Sequence, residues 1–418
     1  MKNLKTYLSP RKLTLILSII ILVVSISFVN EPAQSQTQGI VSSIAIDMQD
    51  NQIKLACSIL TPTSGSGKSN MYSAQASTIA EAVELIGMQL GKDLGFAQCD
   101  IVAIGQNLLN KNVVNALDYF TRTKKVGRNV LILAFEGKTD EFIESVIYME
   151  ENLSLTISQI LDYNKEYLLA VDSNLENFLL GYYGKSGISL MPKIILTDEP
   201  TNNGIKVELS SSPSQQSMNV GLGGDGESGQ NREKKEISFI NSGTTSVVKN
   251  GKLLFDLMPN DIQKLNLFYE KNKYGTFSVS GITDHFYNDA TVVLKMEDKK
   301  IDVKYTFKNG VPIVKAKVKV YVEIHEIIEN EKNENLLRRI DALITTAVQE
   351  ELKKQLAEDL QVIFAKQKTM KADCLELYAN FDKFNHKKWE EYINSLTDKA
   401  DYLKNIELET SVEVAQYV

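Results

Sequence analysis

Histidine is nearly missing from this chain: among 418 residues only His285, His325 and His386 occur, far apart in sequence. No H-x-H or H-E-x-x-H spacing exists, so a histidine-built metal site has no basis in the pattern, and the three read as ordinary surface or sheet positions. Cysteine is as scarce. Cys57, Cys99 and Cys374 are odd in number and scattered in spacing. Cys57 and Cys99 sit in or beside predicted strands. Buried thiols are the simpler reading, and a Cys57–Cys99 disulfide is the sharper one.

Catalytic signatures are lacking too. There is no G-x-S-x-G elbow, and the S-x-x-K from Ser9 to Lys12 lies in a basic N-terminal flank. The acidic pairs Asp198-Glu199 and Glu150-Glu151 border predicted elements and read as solvated ends, as Lys124-Lys125 and Arg338-Arg339 read as solvated faces. No catalytic, metal or cofactor residues are assigned.

Two nucleotide motifs are present in letter only. GSGKS (65–69) would need a glycine at position 62 to complete a P-loop, and that position is Pro62, which has a fixed φ and no N–H to offer a phosphate. The stretch is expected to be a Ser/Gly loop between a strand and a helix starting near Thr78. Gly221 to Gly226 spells G-x-G-x-x-G, but no strand precedes it and no apolar helix follows.

Only one long apolar run exists. Leu13 to Val29 is uncharged and follows Lys2, Lys5, Arg11 and Lys12. It reads as a retained membrane anchor, or as a signal peptide cut near Ala33-x-Ser35, with the rest of the chain outside the cytoplasm. Setting aside those four basic residues leaves 42 of the 46 Lys+Arg against 53 Asp+Glu, about −11. An acidic exported part argues against nucleic acid, and export argues against nucleotide.

What is there is α/β patterning. GIVSSIAID and NQIKLACSIL predict a hairpin. STIAEAVELIGMQLGKDLG predicts a helix, with CDIVAIG, NVVNALDYFTRT and NVLILAFEG continuing as strand, helix and strand. A helix is expected over 139–149, more helix over about 153–181, and a strand over 192–200. Residues 210–236 are poor in apolar residues and read as a linker. Lys249-Asn-Gly-Lys252 predicts a tight hairpin turn, followed by a helix entered at Pro259. VPIVKAKVKVYVEIHEI alternates, with Val314, Ala316, Val318, Val320 and Val322 on one face. A long helix is expected from about Asn333 to Lys368, and the strand 405–416 is expected to close the last sheet.

These segments, in this order, resemble the C subunits of spore germinant receptors, the Ger(x)C family. The resemblance rests on AQASTIAEAVELIGMQLGKDLGFAQCDIVAIGQNLL, LDYFTRTKKVGRNVLILAFEG, TTSVVKNGKLLFDLMPNDIQKLNLF, IVKAKVKVYVEIHEI, the helix ending AKQKTMKADCLEL, and Trp389. Two departures stand out. The family's acylated cysteine after the leader is missing, so the apolar helix would replace it as anchor, and Ala372-Asp373-Cys-Leu-Glu-Leu matches the family's "aDilgfg" only in part.

The resemblance implies a non-enzymatic, membrane-tethered subunit on the outer face of the spore inner membrane. Its partners would be integral-membrane receptor subunits, one resembling an amino-acid transporter. It implies three α/β domains after the N-terminal helix, the last with α+β character. The corresponding boundaries are 1–36 for the basic flank, anchor and short linker, 37–208 for the first domain, 209–236 for the linker, 237–285 for a small second domain, and 286–418 for the last. No ligand-binding residue follows from the resemblance. The other readings are an anchored protein that captures a small ligand alone, with Tyr182-Tyr183 as the nearest aromatic lining, and an exported hydrolase with a dispersed site.

Overall fold

The computed structural model describes residues 18–19, 38–63, 66–123, 126–197, 205–209, 235–270, 273–328 and 344–417. The expected anchor over 13–29, the G-x-G-x-x-G stretch, Asp198-Glu199, Lys124-Lys125 and Arg338-Arg339 therefore lie outside the described residues, apart from Ser18 and Ile19. Among the described residues, no helix is long and apolar enough to cross a membrane.

The chain opens with an antiparallel meander, β1 (Gln38–Gln49), β2 (Gln52–Thr63) and β3 (Ser66–Ala76). Asp50 and Asn51 both have positive φ, as a two-residue turn matching strand twist requires. Strand β3 corrects an expectation. The stretch read as a Ser/Gly loop is paired with β2 along its length, with Pro62 opposite Gly67 and Cys57 opposite Tyr72. Its alternation explains why. Tyr72, Ala74 and Ala76 join one core and Met71 packs on the other, and cross-strand packing overrides the weak β-propensity of Ser, Gly and Asn. The helix that follows begins where expected. In α1 (Ile79–Leu90), Thr78 accepts from the Glu81 amide and Gly91 ends the helix in the left-handed region.

Next come β4 (Asp93–Gly95), β5 (Ile101–Gly105), the short α2 (Gln106–Leu109), α3 (Val113–Thr123) and β6 (Leu131–Glu136). The region expected to be helical over 139–181 divides into α4 (Thr139–Leu153), α5 (Ile157–Glu166) and α6 (Leu175–Tyr183), and β7 (Ile188–Thr197) follows. Strands β1, β5, β6 and β7 are mutually parallel. Helices α1, α2, α3 and α6 cover one face. Helices α4 and α5 cover the other.

Strands β8 (Ile205–Leu209), β9 (Lys235–Lys249) and β10 (Lys252–Leu257) continue that same sheet, in the order β10-β9-β7-β6-β5-β1-β2-β3. The stretch expected as a small middle domain is thus shared. Residues up to Leu257 pair into the first sheet, whereas α7 (Pro259–Asn266) and β11 (Gly275–Ile282) lead into the second.

The second sheet runs β11-β12-β13-β14, with β12 (Ala290–Lys308), β13 (Val311–Ile328) and β14 (Glu407–Gln416). Strand β14 lies parallel to β13 and closes the sheet as expected. Val314 to Val322 point alternately into a core shared with α8 (Thr346–Met370) and α9 (Leu377–Ser395). Residues 333–343 of the expected long helix lie outside the described residues; among those described, α8 begins at Thr346, where Thr345 is extended and its hydroxyl accepts from the Val348 amide.

Candidate functional site

A groove of about 550 Å³ opens on the first sheet, at the carboxyl ends of β1, β3 and β5, where open α/β sheets place their ligands. Met48, Ile53, Ile79 and Leu108 form its apolar floor, and Lys111, Asn115, Tyr119 and Arg122 stand at its rim. Its walls follow from local chemistry. Asp47, buried near the end of β1, accepts hydrogen bonds from the Leu108 amide at 2.8 Å and Asn107 Nδ2 at 2.9 Å, fixing the turn from β5 into α2. Lys111 Nζ donates to Asn51 Oδ1 at 2.7 Å, tying α2 to the β1–β2 turn. Arg122 pairs with Asp118 one helical turn earlier. The cations at the rim are already engaged with neighbours, so the groove is an amphipathic cleft and not a dedicated charge site.

The residues singled out from the sequence do not converge on it. Tyr182 and Tyr183 stack edge to face on each other at 4.9 Å at the end of α6, with Tyr183 76% exposed, outside the groove lining. His285, His325 and His386 are exposed, and His386 Nδ1 lies 2.7 Å from Asp382 on its own helix. Among the described residues, no group of three His, Cys, Asp or Glu side chains could hold a metal. Glu151 is structural: its carboxylate accepts from the Ser69 amide at 3.0 Å on the edge strand β3. Burial, with Asp100 and Glu151 adding to it, raises the pKa of Glu150.

The cysteines are three buried free thiols. Burial pushes Cys57 and Cys374 well up and Cys99 to about 12, so none is a nucleophile at neutral pH.

Three buried polar centres escaped the sequence reading or were seen only as motif letters. Lys193 on β7 is paired with Glu136 at 2.8 Å and Asp256 at 2.9 Å, and Ser246 donates to the same Asp256. Asp373, between α8 and α9, accepts from two amides and from Tyr402. Lys299 on β12 is 3% exposed and donates to the Asn266 carbonyl at 2.6 Å. None opens onto the groove. The sequence carried a signal for the last only in the spacing of VVLKMEDKKIDV, where strict alternation fails.

Comparison with known proteins bears on the whole chain rather than on one site. The family model described as "Spore germination protein N-terminal domain" matches residues 33–196, and that described as "Spore germination B3/ GerAC like, C-terminal" matches residues 242–415. A comparison with curated proteins finds no match. Among solved structures, the crystal structure of the GerBC protein is similar, at 14% identity and a TM-score of 0.49, covering 90% of this chain and 97% of that one. The two family matches together take in most of both sheets with their helices, and on them this chain belongs to the Ger(x)C family of spore germination proteins.

Proposed function

We propose that this protein is the C subunit of a nutrient germinant receptor. It would be held at the outer face of the spore inner membrane by Leu13 to Val29, and it would act by contact with integral-membrane subunits, one of them transporter-like. The observation that carries this reading is the match of both family models along one chain whose N-terminus bears an apolar run behind a basic flank. The groove and the exposed faces are those of a binding scaffold, and no cofactor or nucleotide enters the proposal. The test is a pull-down of a tagged copy from spore membranes, alongside deletion of the gene. Co-purification of a permease-like membrane protein and loss of germination with at least one nutrient support the reading. Normal germination with every nutrient, with no such partner captured, sinks it.

A second reading, an anchored protein that captures a small ligand alone, is favoured by one observation. The groove volume falls in the range of small-molecule sites, roughly 300–1,000 Å³. Tyr119→Ala and Arg122→Ala, both at its rim, would then abolish ligand-induced stabilisation of the isolated chain. In the receptor-subunit reading the isolated chain shows no such stabilisation to lose.

A further inference from the structure

Besides Ile188 and Val247, which pack in the core of the second sheet, the turn after α5 joins the two sheets. After α5 the chain passes through Tyr167 to Ala170. Leu168 inserts its side chain into the core of the second sheet, while Ala170 packs in the first. Leu168 does so with φ of 63°, a left-handed conformation that is strained for a residue with a side chain and persists only where its surroundings hold it. What holds it is Asn266, the last residue of α7. Its Nδ2 donates to the carbonyls of both Leu168 and Ala170 at 2.9 Å. The backbone carbonyl of the same Asn266 accepts from Lys299 Nζ. A buried amine on the second sheet thus sits behind a residue that helps tie the sheets together.

Lys299 reaches that place through a β-bulge. Val292, Leu294 and Met296 point inward, and strict alternation would continue with Asp298 and Lys300. The register shift between Met296 and Asp298 hands the inward position to Lys299, with Ile301 and Val303 after it. Bulges re-aim side chains, and this one buries a lysine.

The charged groups of the surrounding elements are occupied with one another. On α7, Lys264 pairs with Asp359 and Asp261 with Lys366, both partners on α8. Asp298 pairs with Lys273, and Glu297 with Lys295. On β13, Lys319 and Lys300 of β12 lie over the ring of Tyr321. Strand β11 carries no charged side chain, and the turn brings only Glu166 and Tyr167. Among the described residues, Lys299 has the Asn266 carbonyl as its hydrogen-bond partner and no ion pair. With that single bond a neutral amine leaves one N–H unpaired, whereas an ammonium leaves two and buries a charge without a counter-ion.

We propose that Lys299 is a proton-controlled latch on the joint between the two sheets: the neutral amine lets α7 grip the 168–170 turn, and protonation loosens that grip. Burial alone drives its pKa down, to about 7, so the change falls in the neutral range. The sign follows from linkage. Between the folded pKa near 7 and the unfolded value near 10.4, the unfolded or opened chain binds the proton that the closed joint does not. Closure therefore strengthens with rising pH, by up to tenfold in the opening equilibrium per pH unit.

The test uses the full-length chain and two variants. Lys299→Met removes the charge at every pH, and Lys299→Arg keeps it at every pH. Hydrogen exchange, corrected for its intrinsic pH dependence, is followed in peptides covering 165–171 and 262–269, with α3 as a reference. The wild type is expected to match Lys299→Arg at pH 6 and to gain protection relative to Lys299→Met between pH 7 and pH 8.5, by at least fivefold, a gain that α3 does not share. Proteins labelled with 13Cε lysine supply a second readout, a resonance missing from both variants and titrating below pH 8.5. Parallel exchange profiles in wild type and Lys299→Met, or titration of Lys299 above pH 9, overturn the proposal. If Lys299→Arg does not fold, the remaining pair and the lysine titration still decide it.

Discussion

The Tyr402 hydroxyl donates to Asp373 Oδ2 at 2.8 Å, and the amides of Tyr378 and Leu377 donate to the same carboxylate at 2.9 and 2.7 Å. One carboxylate thereby starts α9 and fastens the chain after it, inside a cage where Trp389 stacks on Phe381 at 5.0 Å and meets Tyr378 edge-on at 5.2 Å. Asp373→Asn places an amide N–H against donors. It is expected to cost about 2–3 kcal/mol of stability, read by denaturant unfolding with Trp389 fluorescence as the probe. A change under about 0.5 kcal/mol would mean that the carboxylate is not the organiser of this corner.

Burial raises the Asp373 pKa above the usual carboxylate range, while the three donors pull it back only in part. The folded chain thus holds a proton that the unfolded chain has already released, so this contribution is greatest below about pH 4 and declines as pH rises through the folded value. Wild type minus Asp373→Asn stability, measured from pH 4 to 7, is expected to fall with pH. A flat difference refutes the assignment.

Gly105 and Asp47 share one space. A Cβ built on Gly105 would lie 2.2 Å from Asp47 Cγ, so Gly105→Ala must push the Asp47 carboxylate off the Leu108 amide. The overpacking and the lost cap together are expected to cost about 2–4 kcal/mol. Asp47→Ala alone costs about 1–2 kcal/mol, and the double variant falls short of the sum because the cap is lost only once. Thermal melts of the four proteins supply the cycle.

Lys193 is 5% exposed at its side chain and has two carboxylate partners, Asp256 at 25% and Glu136 at 53%. Lys193→Ala leaves Asp256 with the Ser246 hydroxyl and partial access to water, and Glu136 to water, so the expected loss is about 2 kcal/mol, below the roughly 3–5 of a fully buried broken pair. Burial lowers the Lys193 pKa, but the hydrogen bonds to Glu136 and Asp256 outweigh it, and the net direction is upward. Its stabilisation is then complete below the unfolded value near 10.4 and is lost as pH rises through the higher folded value. Alkaline denaturation of wild type and variant should converge. Curves that stay parallel above pH 11 contradict the pairing.

Much of this fold was legible in sequence because periodicity reports burial. The helix at Thr78, the alternation Val314 to Val322 and the closing strand after a helix all follow from which face is apolar. Strand β3 was not legible, because SGKSNMYSA is weak by propensity and its pairing with β2 is decided by the turn and by Tyr72, Ala74 and Ala76 across the hairpin. The extension of the first sheet by β9 and β10 was hidden as well, since register between distant strands leaves no local trace. Site residues fared worst. Lys299 is buried by a one-residue bulge, and Asn266 acts through carbonyls about a hundred residues away, so each reads as a surface residue until the backbone places it.

The N-terminal run offers the most direct check on the proposed tether. The seventeen uncharged residues Leu13 to Val29 would span about 26 Å as a helix, close to the roughly 30 Å hydrocarbon core. Sheet pairing among the described residues begins at Gln38, so removal of residues 1–36 leaves every described strand and its partners in place. The truncated chain is expected to unfold within about 0.5 kcal/mol of the full-length one, yet to leave the membrane fraction for the soluble one. A full-length product whose N-terminal sequence starts near Gln36 would assign Leu13 to Val29 to a cleaved signal. Truncated chain that stays with the membrane would instead assign retention to contacts of the folded part with membrane partners.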